Sequence, residues 1–167
     1  IATAAESGYD FSSRWFKDPH SMHTIQTSDL IPVDLNAVLF KTEKIIAKLC
    51  FLKGKTKMAN IFKQYANIRK SAINTILWSE KSSCWADFNY KTNELTEHFY
   101  VSNLAPLWVG IKPPHNITVK QILNNHMDLF HSYEGGIPVS KIKTEQQWDF
   151  SNVWAPNQHA FIMLLLK

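Results

Sequence analysis

Apolar residues recur at helical spacing along two neighbouring stretches of the chain. The first stretch begins near Pro32, with Asp34 as its candidate N-cap, and the second follows a break at Gly54. The apolar positions are Leu35, Val38, Leu39, Ile45, Ile46 and Leu49, and then Met58, Ile61, Phe62, Tyr65, Ile68, Ala72 and Ile76. This spacing predicts two amphipathic helices. Because their connection is short, we expect an antiparallel hairpin.

The rest of the chain alternates irregular segments with two further predicted helices. From Trp78 to Trp108 the helical period is lost, and closely spaced rings and turn residues predict a long excursion with a short hairpin. A third helix is predicted from about Thr118 through Phe130, and a last one starts near Pro156, which suits a first helical turn. The pattern therefore predicts an all-α fold whose long aromatic loops carry the function.

Composition narrows the classes of partner. The 167 residues are 45% hydrophobic and 19% charged, which suits a packed core rather than a disordered chain. The net charge of +4 is spread along the chain, so nucleic acid and lipid surfaces are not expected as partners. The longest apolar run, Ala160 to Leu166, is far shorter than the ~20 residues that span a bilayer.

Histidines and cysteines do not form a recognisable metal motif. Of the seven histidines, only His126 and His131 fall on one predicted helix, and their spacing of five does not place them on one face. Cys50 and Cys84 supply neither a metal knot nor a disulfide framework, and the sequence leaves their pairing open. Phosphate-loop, zinc-protease and serine-hydrolase motifs are missing. We expect no metal.

Asn116-Ile117-Thr118 is an acceptor sequence for an N-linked glycan, and it follows two prolines where a surface loop is expected. A glycan at Asn116 would favour a secreted, extracellular or lumenal location, while cytoplasmic and membrane-anchored forms stay open. The chain starts at Ile1 without a methionine and ends at Lys167 inside a predicted helix. Residues 1–167 are therefore expected to be one partial domain, truncated at both ends.

Two segments combine carboxylates, amides and large rings: ESGYDFSSRW at 6–15 and QQWDFSNVWAP at 146–156. Sugar binding needs this combination, because rings cover the apolar faces of a pyranose while carboxylates and amides bind its hydroxyls. From the residues alone, core packing and helix capping explain these side chains more simply.

The two segments resemble the ESGWDFSSRW and QQWDFPNAWPP signatures of trehalases, the inverting glycosidases that split α,α-trehalose into two glucose molecules. Three further blocks resemble the family in the same order, namely VDLN at 33–36, YVSNLAPLW at 100–108 and GGIP at 135–138. The resemblance extends over nearly the whole chain. It implies part of an (α/α)6 toroid, incomplete in this chain, with trehalose as the small-molecule substrate and no cofactor.

The resemblance also implies roles for single residues. Asp10 matches the family's general acid, and Gly8 matches a position whose backbone lies against the sugar. For Arg14 two roles stay open, either holding a carboxylate or sugar hydroxyl, or pairing structurally. The residues expected to form the walls and supports of the substrate pocket are Gln147, Trp148 and Asp149.

An inverting glycosidase needs a second carboxylate. One carboxylic acid protonates the leaving oxygen while the other activates water on the opposite face, with the two roughly 6.5–9.5 Å apart. The family's base is a glutamate in a glycine-rich stretch downstream of the QWD motif, and residues 1–167 do not contain that stretch. Glu6 and Glu134 match no base position. The chain alone is therefore expected to be inactive.

Six positions depart from the family's usual residues: Tyr9 replaces Trp, Val101 and Ser151 replace Pro, Val139 replaces Thr, Glu145 replaces Gly and Asn157 replaces Leu. Loss of the prolines is expected to loosen two loop positions, and Glu145 brings a Cβ and a charge into a turn. Three alternatives stay open: a catalytically weakened sugar-binding paralog, a toroidal glucosidase for another disaccharide, and a helical scaffold without chemistry.

Overall fold

Helices dominate the fold, as the hydrophobic pattern predicts. The computed structural model describes residues 2–166, and about 51% of it is helical when short 3₁₀ turns are counted. The α-helices of this part are α1 (Ala2–Glu6), α2 (Val33–Leu52), α3 (Thr56–Ile76), α4 (Ala105–Trp108), α5 (Val119–Asn124), α6 (Met127–Phe130) and α7 (Ala155–Leu165).

The predicted antiparallel hairpin is formed by α2 and α3, which pack along their lengths. Its turn uses Gly54 at φ +70°, a conformation that glycine adopts without steric cost. Arg69 on α3 donates to Glu43 at 2.8 Å and to the Asn36 side chain at 2.9 Å on α2, which ties the two helices together. The N-cap position belongs to Pro32 and not to Asp34, so that prediction was wrong.

The buried face of the hairpin differs from the apolar stripe seen in the sequence. Ala37, Phe40 and Ile73 are buried, whereas Leu35 is 52% and Ile68 is 61% exposed. The hairpin therefore leaves an apolar face uncovered by the described residues.

Short strands add to the helices in the irregular segment. The strands are β1 (Leu30–Ile31), β2 (Trp78–Ser79), β3 (Cys84–Trp85), β4 (Phe88–Asn89) and β5 (Glu94–Leu95). β2 and β3 pair as the expected hairpin, and β4 pairs with both β1 and β5, antiparallel throughout. The all-α expectation therefore holds for the main architecture, with these two-residue strands added.

The single helix predicted from Thr118 through Phe130 is in fact two helices. Thr118 caps α5 through a reciprocal bond with Gln121, and the chain leaves the helical path at His126 before α6 begins. At this break the His126 ring stacks on Phe99, with 3.7 Å between the ring centres. The last helix, α7, begins beside Pro156 as predicted.

Two buried clusters make up the core. One lies around Phe40, Trp85 and Leu107. A smaller one lies around Tyr9 and Trp15, within segment 6–15. Both cysteines are free thiols. None of the helices in the described part of the chain is both long and apolar enough to cross a bilayer.

Candidate functional site

The two segments rich in rings and carboxylates lie side by side, although they are far apart in sequence. The Trp148 N–H donates to the Phe11 carbonyl at 2.8 Å. The first segment continues as a 3₁₀ turn, Ser13–Trp15. The Ser12 hydroxyl caps this turn by accepting from the Arg14 N–H. This contact brings the predicted acid loop next to the predicted pocket segment.

Asp149 holds these segments together from inside the protein. It is fully buried. On segment 6–15, its carboxylate accepts from the hydroxyls of Ser12 and Ser13 and from the Ser13 backbone N–H, at 2.9–3.4 Å. It also accepts from the hydroxyls of Ser140 and Thr144, which precede it in the chain. Charge-assisted bonds of this kind are the strong ones. These hydrogen-bond partners are protein groups, so the carboxylate of Asp149 holds the surrounding segments together.

Arg14 forms a second buried centre. Its guanidinium donates to both oxygens of Asp34 at 2.7 and 2.8 Å and to both oxygens of Asp87 at 2.7 and 2.9 Å. Burial alone would raise the pKa of Asp34, but the charge and hydrogen bonds of Arg14 outweigh it and hold that pKa below its usual range. Of the two roles open for Arg14, the structure shows pairing with protein carboxylates.

Block 100–108 contacts the first segment, and it also contacts the residue that directly follows block 135–138. The hydroxyls of Ser13 and Tyr100 share a hydrogen bond of 2.8 Å, and the Val101 N–H donates to the Val139 carbonyl at 2.9 Å. A proline at position 101 could not donate this bond. The position that was expected to be loosened is therefore held by a hydrogen bond instead.

Asp10 lies half-buried in the loop that follows α1. Its neighbours are fixed on both sides, because the Tyr9 carbonyl accepts from the Trp15 indole N–H and the Phe11 carbonyl accepts from the Trp148 N–H. Within residues 2–166, its own carboxylate has no hydrogen-bond partner. The loop thus holds Asp10 between two backbone positions that are fixed by hydrogen bonds.

Rings pack beside Gly8. Its φ is +78°, and a Cβ there would lie 3.1 Å from the Trp154 ring. The Trp154 ring centre lies 4.7 Å from that of Tyr9 and 5.5 Å from that of Trp148. Gln147 lies on the surface at the same end of the segment, and so does the neighbouring charge of Glu145. The cluster offers flat apolar surface next to the Asp10 loop.

A cavity of about 600 Å³ adjoins this cluster. It lies between α1, α2, α7 and the segment around α4, and its walls include Tyr9, Asp34 and Trp154. None of the six predicted site residues lines it. The sequence did not predict this cavity.

Three residues important for the cluster were not singled out from the sequence. Asp87 lies in the irregular segment between two short strands, where no periodic pattern marks it, and the hydroxyls of Ser140 and Thr144 carry no motif of their own. Among residues 2–166, no three His, Cys, Asp or Glu side chains gather where they could share a metal ion.

The chain resembles known proteins over its whole length. A family model described as Trehalase matches residues 1–167. The chain is 38% identical to the trehalase of Homo sapiens over 170 residues, covering 100% of this chain and 29% of that protein. It is 35% identical to the periplasmic trehalase of Escherichia coli K12 over 161 residues, covering 95% of this chain and 27% of that protein.

A solved structure also resembles the chain. The neutral trehalase Nth1 of Saccharomyces cerevisiae superposes with a TM-score of 0.73 at 20% sequence identity, covering 87% of this chain and 29% of that one. This likeness shows a shared helical fold. The chain spans less than a third of the length of each of these relatives.

Proposed function

The chain belongs to the trehalase family, and from this premise we propose that the protein containing it hydrolyses α,α-trehalose to two glucose molecules. The observation that carries the proposal is the convergence of the separate family blocks on one cluster, through Ser13, Arg14 and Asp149. A scaffold without chemistry would not need a clamped loop that presents a carboxyl with no hydrogen-bond partner among residues 2–166.

We propose Asp10 as the general acid of an inverting mechanism. Its carboxyl would protonate the glycosidic oxygen as the bond to the departing glucose breaks, and a water molecule would attack from the opposite face. The fixed neighbours of Asp10 support this role, because proton transfer requires the donor to be held within hydrogen-bond reach. The absence of a protein partner within residues 2–166 leaves the carboxyl for the substrate.

The substrate pocket is proposed to border Gly8, Gln147 and Trp148. At Gly8 the missing side chain lets a sugar hydroxyl approach the backbone, and the Trp148 ring offers an apolar surface for a pyranose face. Arg14 and Asp149 are proposed to support this pocket from behind, since both are buried and bonded to protein groups.

The base is proposed to come from a part of the protein outside residues 1–167. No residue of the chain matches the family's glutamate base. Without a carboxylate to activate water, single displacement cannot proceed at a useful rate. The chain by itself is therefore proposed to be inactive, as one arc of an (α/α)6 toroid and one part of a larger catalytic domain.

The test is glucose release from trehalose by the complete protein and by its Asp10→Asn variant. The amide keeps the size of the side chain and cannot donate the acid proton, so activity should fall about 10²–10⁴-fold with the fold intact. An unchanged rate would remove Asp10 from the mechanism. Trehalose binding without glucose release from either protein would make the sugar-binding paralog the better account.

A glycan at Asn116 is proposed, with a secreted or lumenal location. Asn116 is exposed in a turn at φ +58°, and the Thr118 hydroxyl accepts from the Gln121 N–H at 3.2 Å. Digestion of the secreted protein with a peptide N-glycosidase should lower its mass. Asn116→Gln should abolish the change, while Thr118→Ser preserves both the acceptor sequence and the helix cap.

A further inference from the structure

Tyr9 is the residue between the glycine proposed to meet the sugar and the proposed acid, and the protein holds it at several points. Its N–H donates to the Ser7 hydroxyl at 3.0 Å, and its carbonyl accepts from the Trp15 indole. Its hydroxyl donates to the Asn157 side-chain oxygen at 2.9 Å. The first two contacts are local, whereas the third reaches across 148 residues.

The long-range bond joins the Asp10 loop to α7. Tyr9 is only 2% exposed, so its hydroxyl needs a protein partner to offset the loss of water. Burial, with the nearby negative charge of Asp34, raises the pKa of Tyr9 well above its ordinary value, so the neutral hydroxyl, which can donate, is favoured further. Asn157 lies in the first turn of α7, where the backbone is fixed by its bond to Trp154.

Both ends of this bond depart from the family's usual residues. Tyr9 stands where the family usually has Trp, and Asn157 stands where it usually has Leu. A leucine has no acceptor for a phenol hydroxyl, so the two departures meet in a contact that the usual pair cannot form. The Tyr9–Asn157 bond therefore depends on both of these side chains.

We propose that the Tyr9–Asn157 hydrogen bond is a positioning device that fixes the proton-donating geometry of Asp10 by anchoring its loop to α7. The inference rests on the proposed function, in which Asp10 is the general acid. Tyr9 acts through its neighbour and does not itself exchange a proton with the substrate. If the bond is broken, residues 8–10 gain freedom, and Asp10 spends less time within reach of the glycosidic oxygen.

The experiment compares two substrates in the complete protein carrying Tyr9→Phe. Trehalose needs a proton on its leaving oxygen, whereas the fluoride of α-D-glucopyranosyl fluoride leaves with little proton donation. We expect kcat for trehalose to fall about 3- to 10-fold, the size of one hydrogen bond, with KM changed less than about twofold. The rate with the fluoride should fall much less. Tyr90→Phe, an exposed tyrosine, is the matched control and should leave both rates unchanged.

Asn157→Leu removes the acceptor of the same hydrogen bond, and leucine is the usual residue of the family at this position. It should reproduce the kinetic pattern of Tyr9→Phe, and the double variant should lose little more than either single one. Equal slowing of both substrates, additive losses or unchanged kinetics in a folded variant would overturn the positioning role. A wild-type protein that releases no glucose would instead overturn the proposed function, so the two failures are distinct.

Discussion

Ser13 donates both its backbone N–H and its hydroxyl to the buried carboxylate of Asp149, at 3.1 and 2.9 Å and across 136 residues of sequence. The same hydroxyl meets Tyr100 at 2.8 Å. One serine thus joins three of the family blocks. The Asp149 carboxylate therefore links these blocks through hydrogen bonds to protein groups.

Asp149→Ala is therefore expected to lower the free energy of unfolding of the complete protein. Removing the carboxylate leaves several buried donors unpaired, and we expect a loss of about 3 kcal/mol or more in the free energy of unfolding. Chemical denaturation of the complete protein measures it. Glu145→Ala, in the same loop but exposed, should change stability by less than about 0.5 kcal/mol. A stable Asp149→Ala protein with a raised KM would identify Asp149 as a direct substrate ligand.

Arg14→Lys is expected to destabilise the protein by about 3–5 kcal/mol, because an ammonium cannot replace the forked bonds to Asp34 and Asp87 and leaves buried charge poorly paired. The matched control is Arg69→Lys, whose partner is also a carboxylate. The Arg14 side chain is 1% exposed and that of Arg69 is 29% exposed, so the control should lose about 1 kcal/mol or less. Equal losses in thermal or urea unfolding would show that burial of the Arg14 centre adds nothing.

Gly8→Ala tests whether the ring contact matters beyond backbone conformation. Alanine at φ +78° costs about 1 kcal/mol from the left-handed conformation alone, and its Cβ would also press on the Trp154 ring at 3.1 Å. Gly54→Ala meets a similar φ of +70° with nothing within 4 Å, so it isolates the backbone cost. We expect a loss of about 1 kcal/mol in Gly54→Ala, a larger loss of about 2 kcal/mol in Gly8→Ala, and a raised KM for trehalose only in Gly8→Ala. A KM unchanged in Gly8→Ala would argue against the sugar lying at this backbone.

The long hairpin and α7 could be predicted because their signals are local. A helical period, a glycine turn and a proline in a first turn each act over a few residues, and the structure confirms all three. The hairpin's buried face could not be predicted in the same way. Which stripe is buried depends on what packs against it, and here Ala37 and Phe40 are buried whereas Leu35 is exposed.

Residues of the candidate site could be proposed from the sequence only where short motifs contain them. Asp10, Arg14 and Asp149 stood within segments that combine rings and charge, so the resemblance singled them out. Asp87 was not predicted, because its pairing with Arg14 crosses 73 residues and is set by tertiary structure. The bond between Tyr9 and Asn157 is of the same kind, since neither residue marks the other in the sequence.

His126 gives a prediction for pH. Its ring is stacked on Phe99, its Nε2 is buried without a hydrogen-bond partner in residues 2–166, and burial, aided by the positive charge of Lys141, lowers its pKa to about 4. Between the unfolded pKa of about 6.5 and this folded value, the unfolded state binds more protons. Stability should therefore be complete above pH 6.5 and fall by about 1–2 kcal/mol as the pH drops to 4, allowing for partial solvent screening. Urea unfolding across this range should show a weaker pH dependence in His126→Phe and an unaltered one in His131→Gln, which changes an exposed histidine. A slope that survives in His126→Phe would assign the acid sensitivity to other groups.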